Sequence, residues 1–150
     1  MATKTKVKPK TKAPAYKQQV FINLPVKDLE KSKAFFGKLG YTFNPQFTDQ
    51  NGACMVISDT IFAMLLTEKF FKGFTKFEIA DGRKSKEVLV ALNQPSLAAV
   101  DALADKAIAA GGKLHRPAED HGWMYTKAIE DLDGHVWEIF WFDSSKAQQG

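Results

Sequence analysis

A strand, a helix closed by glycine and then three short strands occur twice along these 150 residues, and that repeat constrains the fold more than any other feature. In the first copy, residues 19–26 alternate Val20, Ile22, Leu24 and Val26 with Phe21, Asn23 and Pro25, the two-residue period of a strand. Pro25 lacks an N–H and suits an edge or a strand end. Asp28 is a natural N-cap for a helix over 29–39. Its inward stripe is Leu29, Ser32, Phe35, Phe36 and Leu39, and Gly40 is its stop. Strands over 41–43, 53–57 and 61–67 follow, separated by turn residues at 49–52 and 58–60. In the second copy, a strand over 87–92 precedes the helix start Pro95-Ser96. An Ala-rich helix over 97–110 presents Val100, Leu103, Ala104, Ala107 and Ile108 to one side, and Gly111-Gly112 ends it. Strands over 113–115, 124–130 and 135–142 complete the copy. The class expected is α+β: a single domain over 19–143, made of βαβββ modules at about 19–67 and 87–143.

The rest of the chain is tail. Residues 1–18 carry six lysines and no acid, more than the whole net charge of +4, so the folded part is mildly acidic. Lysine alternating with Thr, Pro and Ala has little to bury, and a disordered basic tail is expected at 1–18. A short C-terminal tail is expected at 144–150. With 45% hydrophobic residues, including twelve Phe and three Trp, the domain has ample material for a core. No apolar run reaches the roughly 18 residues of a membrane span. The N-terminus lacks the apolar stretch of a secretory signal. The single cysteine, Cys54, cannot form an internal disulfide. A reducing, cytoplasmic setting is expected, with Cys54 a small core residue inside the apolar run 53–57.

The connection over 68–86 has no clean period. Phe70, Phe71, Phe74 and Phe77 lie among lysines. Two forms fit: a packed, lid-like loop, or a helical turn followed by an interface segment.

The closing segment holds the most telling side chain. After the Asp133-Gly134 turn, Trp137, Ile139 and Trp141 share one strand face, and Val136, Glu138 and Phe140 the other. Glu138 is the one carboxylate in an apolar strand. Either it points to water at an edge, or it lines a cavity, because a buried carboxylate needs a partner, a metal or a proton. Three histidines remain, His115, His121 and His135. His121 precedes Gly122-Trp123-Met124-Tyr125 and can reach a cleft mouth. Trp123 and Tyr125 can stack on or hydrogen-bond a ligand, or serve as core aromatics with a satisfied polar tip. There is no Gly-x-Ser-x-Gly elbow, phosphate-binding Gly loop, His-Glu-x-x-His or CxxC. Asp131 and Asp133 read as turn residues.

Taken in order, Leu24-Pro25-Val26-Lys27-Asp28-Leu29, Leu39-Gly40-Tyr41 and Asp131-Leu132-Asp133-Gly134-His135-Val136-Trp137-Glu138 resemble the vicinal oxygen chelate superfamily of glyoxalase I, bleomycin-resistance proteins and extradiol dioxygenases. The segments 23–29 and 121–125 are similar to those of the predicted lactoylglutathione-lyase-like proteins of bacteria. The resemblance implies two βαβββ modules forming a curved mixed sheet around a cleft, often within a dimer. It also implies one divalent ion held by four strand positions in the metal enzymes. Those positions map here onto Phe21, Met64 or Leu65, Leu89 and Glu138. Phe and Leu offer no lone pair, and one carboxylate does not hold a divalent ion against water. No cofactor is therefore expected; the alternative is one divalent metal ion in a displaced site at His121 and Glu138.

Three functions follow. The first is a glyoxalase/bleomycin-resistance-like protein with a degenerate metal site, binding a small, partly apolar molecule. Phe21, Leu65 and Leu89 would form the wall, and Asn23, His121, Trp123, Tyr125 and Glu138 the polar and aromatic contacts. The second is a lyase, isomerase or dioxygenase-type enzyme, lactoylglutathione-lyase-like or dioxygenase-like, with Glu138 as catalytic base or in a rearranged metal site. The third is attachment of the tail to an acidic partner. The expected partners are a small-molecule ligand and a second copy in a homodimer, with no membrane and no nucleic acid.

Overall fold

The computed structural model describes residues 5–6 and 13–146. Most of the expected basic tail at 1–18, and residues 147–150 of the C-terminal tail, lie outside the described residues.

The strands are β1 (Val20–Val26), β2 (Thr42–Asn44), β3 (Gly52–Val56), β4 (Ile61–Thr67), β5 (Leu89–Asn93), β6 (Lys113–Asp120), β7 (Met124–Glu130) and β8 (Val136–Phe142). The helices are α1 (Leu29–Lys38), α2 (Glu68–Phe71) and α3 (Leu97–Ala109). The caps act as the residues dictate. Asp28 accepts the Lys31 N–H at 3.0 Å, and Ser96 accepts the Ala99 N–H at 3.0 Å. Both long helices close on a glycine with positive φ, Gly40 at 102° and Gly111 at 106°, a region that costs other residues strain.

Each module makes its own four-stranded mixed sheet, in the orders β1-β4-β3-β2 and β5-β8-β7-β6. The parallel pairs are β1 with β4 and β5 with β8. The two βαβββ modules are those expected; the mixed β-structure is divided into two sheets, one per module, which do not close into a barrel. Both helices and the helix-facing sides of both sheets share one core, with Leu24, Phe35, Phe36, Ala63 and Leu65 from the first module and Val100, Ile129, Trp137 and Ile139 from the second. Phe36 meets Trp137 edge-on at 5.3 Å, which joins the modules.

The turn before β8 also joins them. Asp131, buried, accepts the N–H groups of Asp133 at 2.9 Å and His135 at 3.0 Å, and the Trp137 indole N–H at 3.0 Å. Burial pushes its carboxyl up, and His135 with the three donors offsets part of that. Asp133 accepts the Lys27 N–H at 2.9 Å and the Ser32 hydroxyl at 3.3 Å, while the His135 ring donates to the Pro25 carbonyl at 2.8 Å. The Asp-x-Asp-Gly-His sequence is thus a staple onto the start of the first module.

The connection opens with α2 and a 3₁₀ turn over Lys72–Phe74, the helical turn of the second form, and runs on without regular structure to β5. β6 is longer than the 113–115 expected, because irregularities after Leu114 and Arg116 break its alternation. Among the described residues, no helix is long and apolar enough to cross a membrane. Cys54 is fully buried, and burial pushes its thiol up.

Candidate functional site

The strand period divides every sheet residue between a helix-facing side and an outer side. On the outer side of the first sheet, Phe21 lies opposite Phe62 and Asn23 opposite Met64. Phe21 stacks on Phe62 with ring centroids 4.8 Å apart. Between the two second-position candidates, the register selects Met64. Leu65 faces the helices, is fully buried in the core and does not line the outer face, which corrects its assignment as a ligand-binding residue. A one-residue shift moves a strand residue to the opposite side, and two successive apolar residues hide it.

On the outer side of the second sheet, Glu138 sits between Ala91 of β5 and Ala128 of β7. The small neighbours leave room for Arg116 of β6, opposite Ala128, to reach across and donate to Glu138 Oε1 at 3.0 Å. Arg116 Nε lies 3.2 Å from Glu119 Oε1, and Glu119 Oε2 lies 3.4 Å from His121 Nε2. Glu138 therefore has a charged partner, one of the three ways of satisfying a buried carboxylate that the sequence left open. Arg116 is the residue that reading missed. The signal was available: a carboxylate on an inner strand calls for a cation on a neighbouring one.

Tyr125 is a second correction. It pairs with Trp141 on the helix-facing side, and its hydroxyl donates to Asp101 of α3 at 2.7 Å. Lys127 reaches the same carboxylate at 2.7 Å. The Asp101 hydrogen bond, with burial, pushes the Tyr125 hydroxyl up, and the Lys127 and Tyr125 hydrogen bonds hold the Asp101 carboxyl down. Tyr125 anchors α3 to its sheet. Leu89 stays on the open side, 49% exposed, as does Phe21 at 45%. Trp123 is exposed at the β6–β7 turn, where its carbonyl accepts the Asp143 N–H at 2.7 Å.

Phe21, Met64, Leu89 and Glu138, the positions mapped as metal ligands, offer one hard donor and one thioether, and a guanidinium stands 3.0 Å from that donor. Among the described residues, no cluster of three or more His, Cys, Asp and Glu is placed to hold an ion. The displaced pair, His121 and Glu138, is linked only through Glu119 and Arg116. These residues do not fit the divalent ion that the resemblance implies.

A cavity of about 520 Å³ lies elsewhere, between the end of β1 and the connection. It is lined by Pro25, Phe71, Phe77, Ile79, Glu78 and Glu87 among others, and Asn23 is the one expected site residue that lines it. Its roof is pinned. Lys86 donates to the Gly82 carbonyl and, at 2.6 Å, to the Gly134 carbonyl, and it meets Glu130 at 3.1 Å. Arg83 donates to the Leu132 carbonyl at 2.7 Å. Gly134 has φ 82°, and a Cβ there would sit 2.8 Å from the Gly82 backbone, so the roof and the β8 turn approach as only glycine permits.

A family profile described as "Bleomycin resistance protein-like N-terminal" matches residues 18–58. A hypothetical protein from S. aureus is 27% identical, with a TM-score of 0.71 over 83% of this chain and 94% of its own. A glyoxalase-related enzyme from Fulvimarina pelagi is 24% identical, with a TM-score of 0.71 over 84% and 88%. A glyoxalase/bleomycin resistance protein/dioxygenase family enzyme from Burkholderia phytofirmans PsJN is 16% identical, with a TM-score of 0.71 over 82% and 97%. No curated protein matches the chain.

Proposed function

We propose that the chain belongs to the vicinal oxygen chelate superfamily and that it binds a small, partly apolar molecule on the outer sheet faces without a metal ion. One observation carries this: the four positions that would hold an ion are Phe21, Met64, Leu89 and Glu138, and Glu138 is already paired with Arg116. Three of them form apolar wall, and the Arg116–Glu138 pair supplies polar contacts in a fixed orientation. Phe21 and Leu89 are about half exposed, so a second copy would complete the enclosure. Phe21→Asp is then expected to shift sedimentation from dimer to monomer.

The test is a thermal-shift screen of small aromatic and aliphatic compounds, run with and without EDTA. The expected result is a set of ligands whose stabilisation survives EDTA and is lost in Glu138→Gln. Ligands that bind only with an added divalent ion would overturn the proposal. A second reading rests on the same side chain. Glu138 Oε2 has no hydrogen-bond partner among the described residues, so it is free to take a proton α to a carbonyl. Turnover abolished in Glu138→Gln, with binding retained, would favour it.

A further inference from the structure

The cavity beneath the connection has its own chemistry, and it shares only Asn23 with the outer-face residues. Its volume of about 520 Å³ is that of a small-molecule site. The one lysine lining it is already committed. The Lys86 ammonium donates to the carbonyls of Gly82 and Gly134, and its charge is met by Glu130. His135 spends its Nε2 proton on the Pro25 carbonyl. Glu78 and Glu87 have neither an ion pair nor a hydrogen bond among the described residues, so the lining keeps a negative surplus. Phe71, Phe77 and Ile79 supply apolar and aromatic surface beside those carboxylates. Phe77 is 84% exposed, far more than a packing role explains.

We propose that this cavity binds a small organic cation with an apolar body, an aryl- or alkyl-ammonium compound. The aromatic faces attract the cation through their quadrupoles, the carboxylates supply the countercharge, and the apolar wall takes the body. The pins hold the Gly82–Lys86 side of the cavity in place, so that side needs little ordering on binding. This proposal does not rest on the outer-face reading.

The experiment uses the full chain and three probes of similar size: benzyltrimethylammonium, benzyl alcohol and benzenesulfonate. Binding is followed by isothermal titration calorimetry. The ammonium is expected to bind at least about tenfold more tightly than the alcohol, with affinity falling as salt rises, and the sulfonate is expected not to bind. Glu78→Gln/Glu87→Gln is expected to lose about tenfold in ammonium affinity. Its thermal midpoint should not change, because both side chains are exposed and unpaired among the described residues. Phe77→Ala should weaken binding similarly, whereas Glu138→Gln should leave it unchanged. Equal binding of the three probes, no binding of the ammonium, or ammonium binding indifferent to both cavity variants would overturn the proposal. Loss in Glu138→Gln alone would also overturn it, by placing the cation on the outer face.

Discussion

Glu138 shows how far a single residue can be read. Its isolation among apolar neighbours was visible in the sequence, and so was its need for a partner. The partner was not, because the bulges in β6 break the alternation that would have put Arg116 on the same side. The pair is half-exposed, with side-chain exposures of 39% and 25%, so its net worth is about 1 kcal/mol. Arg116→Met is expected to destabilise by roughly that amount. In a double-mutant cycle with Glu138→Gln, urea unfolding should show a coupling of similar size. A coupling near zero would mean the contact does no energetic work. Glu130 gives a pH prediction. Burial alone would raise its carboxyl, but the His115 and Lys86 hydrogen bonds outweigh this and hold it below the ordinary value. A lowered folded-state value means stability that is present above the unfolded carboxylate pKa and lost as pH falls through the folded one. Urea midpoints measured from neutral to acidic pH should therefore converge for wild type and Glu130→Gln at the acid end. Curves that stay parallel would contradict the assignment.

At the scale of elements, capping and periodicity were legible wherever the residues involved are local. Asp28, Gly40, Ser96 and Gly111 delimit the long helices as their chemistry requires. Register was not legible, because it depends on which strand lies alongside. Leu65 and Tyr125 both sit in well-predicted strands, yet pairing turns both toward the helices. The β8 turn was recognised as a turn, but its work as a staple appears only when Pro25, Lys27 and Ser32 come against it. Asp131→Ala would leave the Trp137 indole N–H and two backbone N–H groups without their acceptor. A loss of roughly 2–4 kcal/mol is expected by urea unfolding. Asp131→Asn should recover only part of it, since an amide N–H₂ facing the indole N–H cannot accept. A change below about 0.5 kcal/mol in the alanine variant would show that the staple is not structural.

Across the whole molecule, the duplicated module could be seen from the chain alone because each copy repeats the same punctuation. How the copies sit together could not, because the contacts that decide it, such as Phe36 on Trp137, are between residues far apart in sequence. Sharing a helical core leaves the outer faces open, with Phe21 and Leu89 about half exposed. The same faces carry the central claim, that this chain binds a small molecule without a metal. Elemental analysis of the full chain, purified without chelators, tests it most directly. Divalent metal well below one equivalent per chain is predicted, unchanged in Glu138→Gln. About one equivalent of zinc, nickel, manganese or iron per chain, lost in Glu138→Gln, would contradict it.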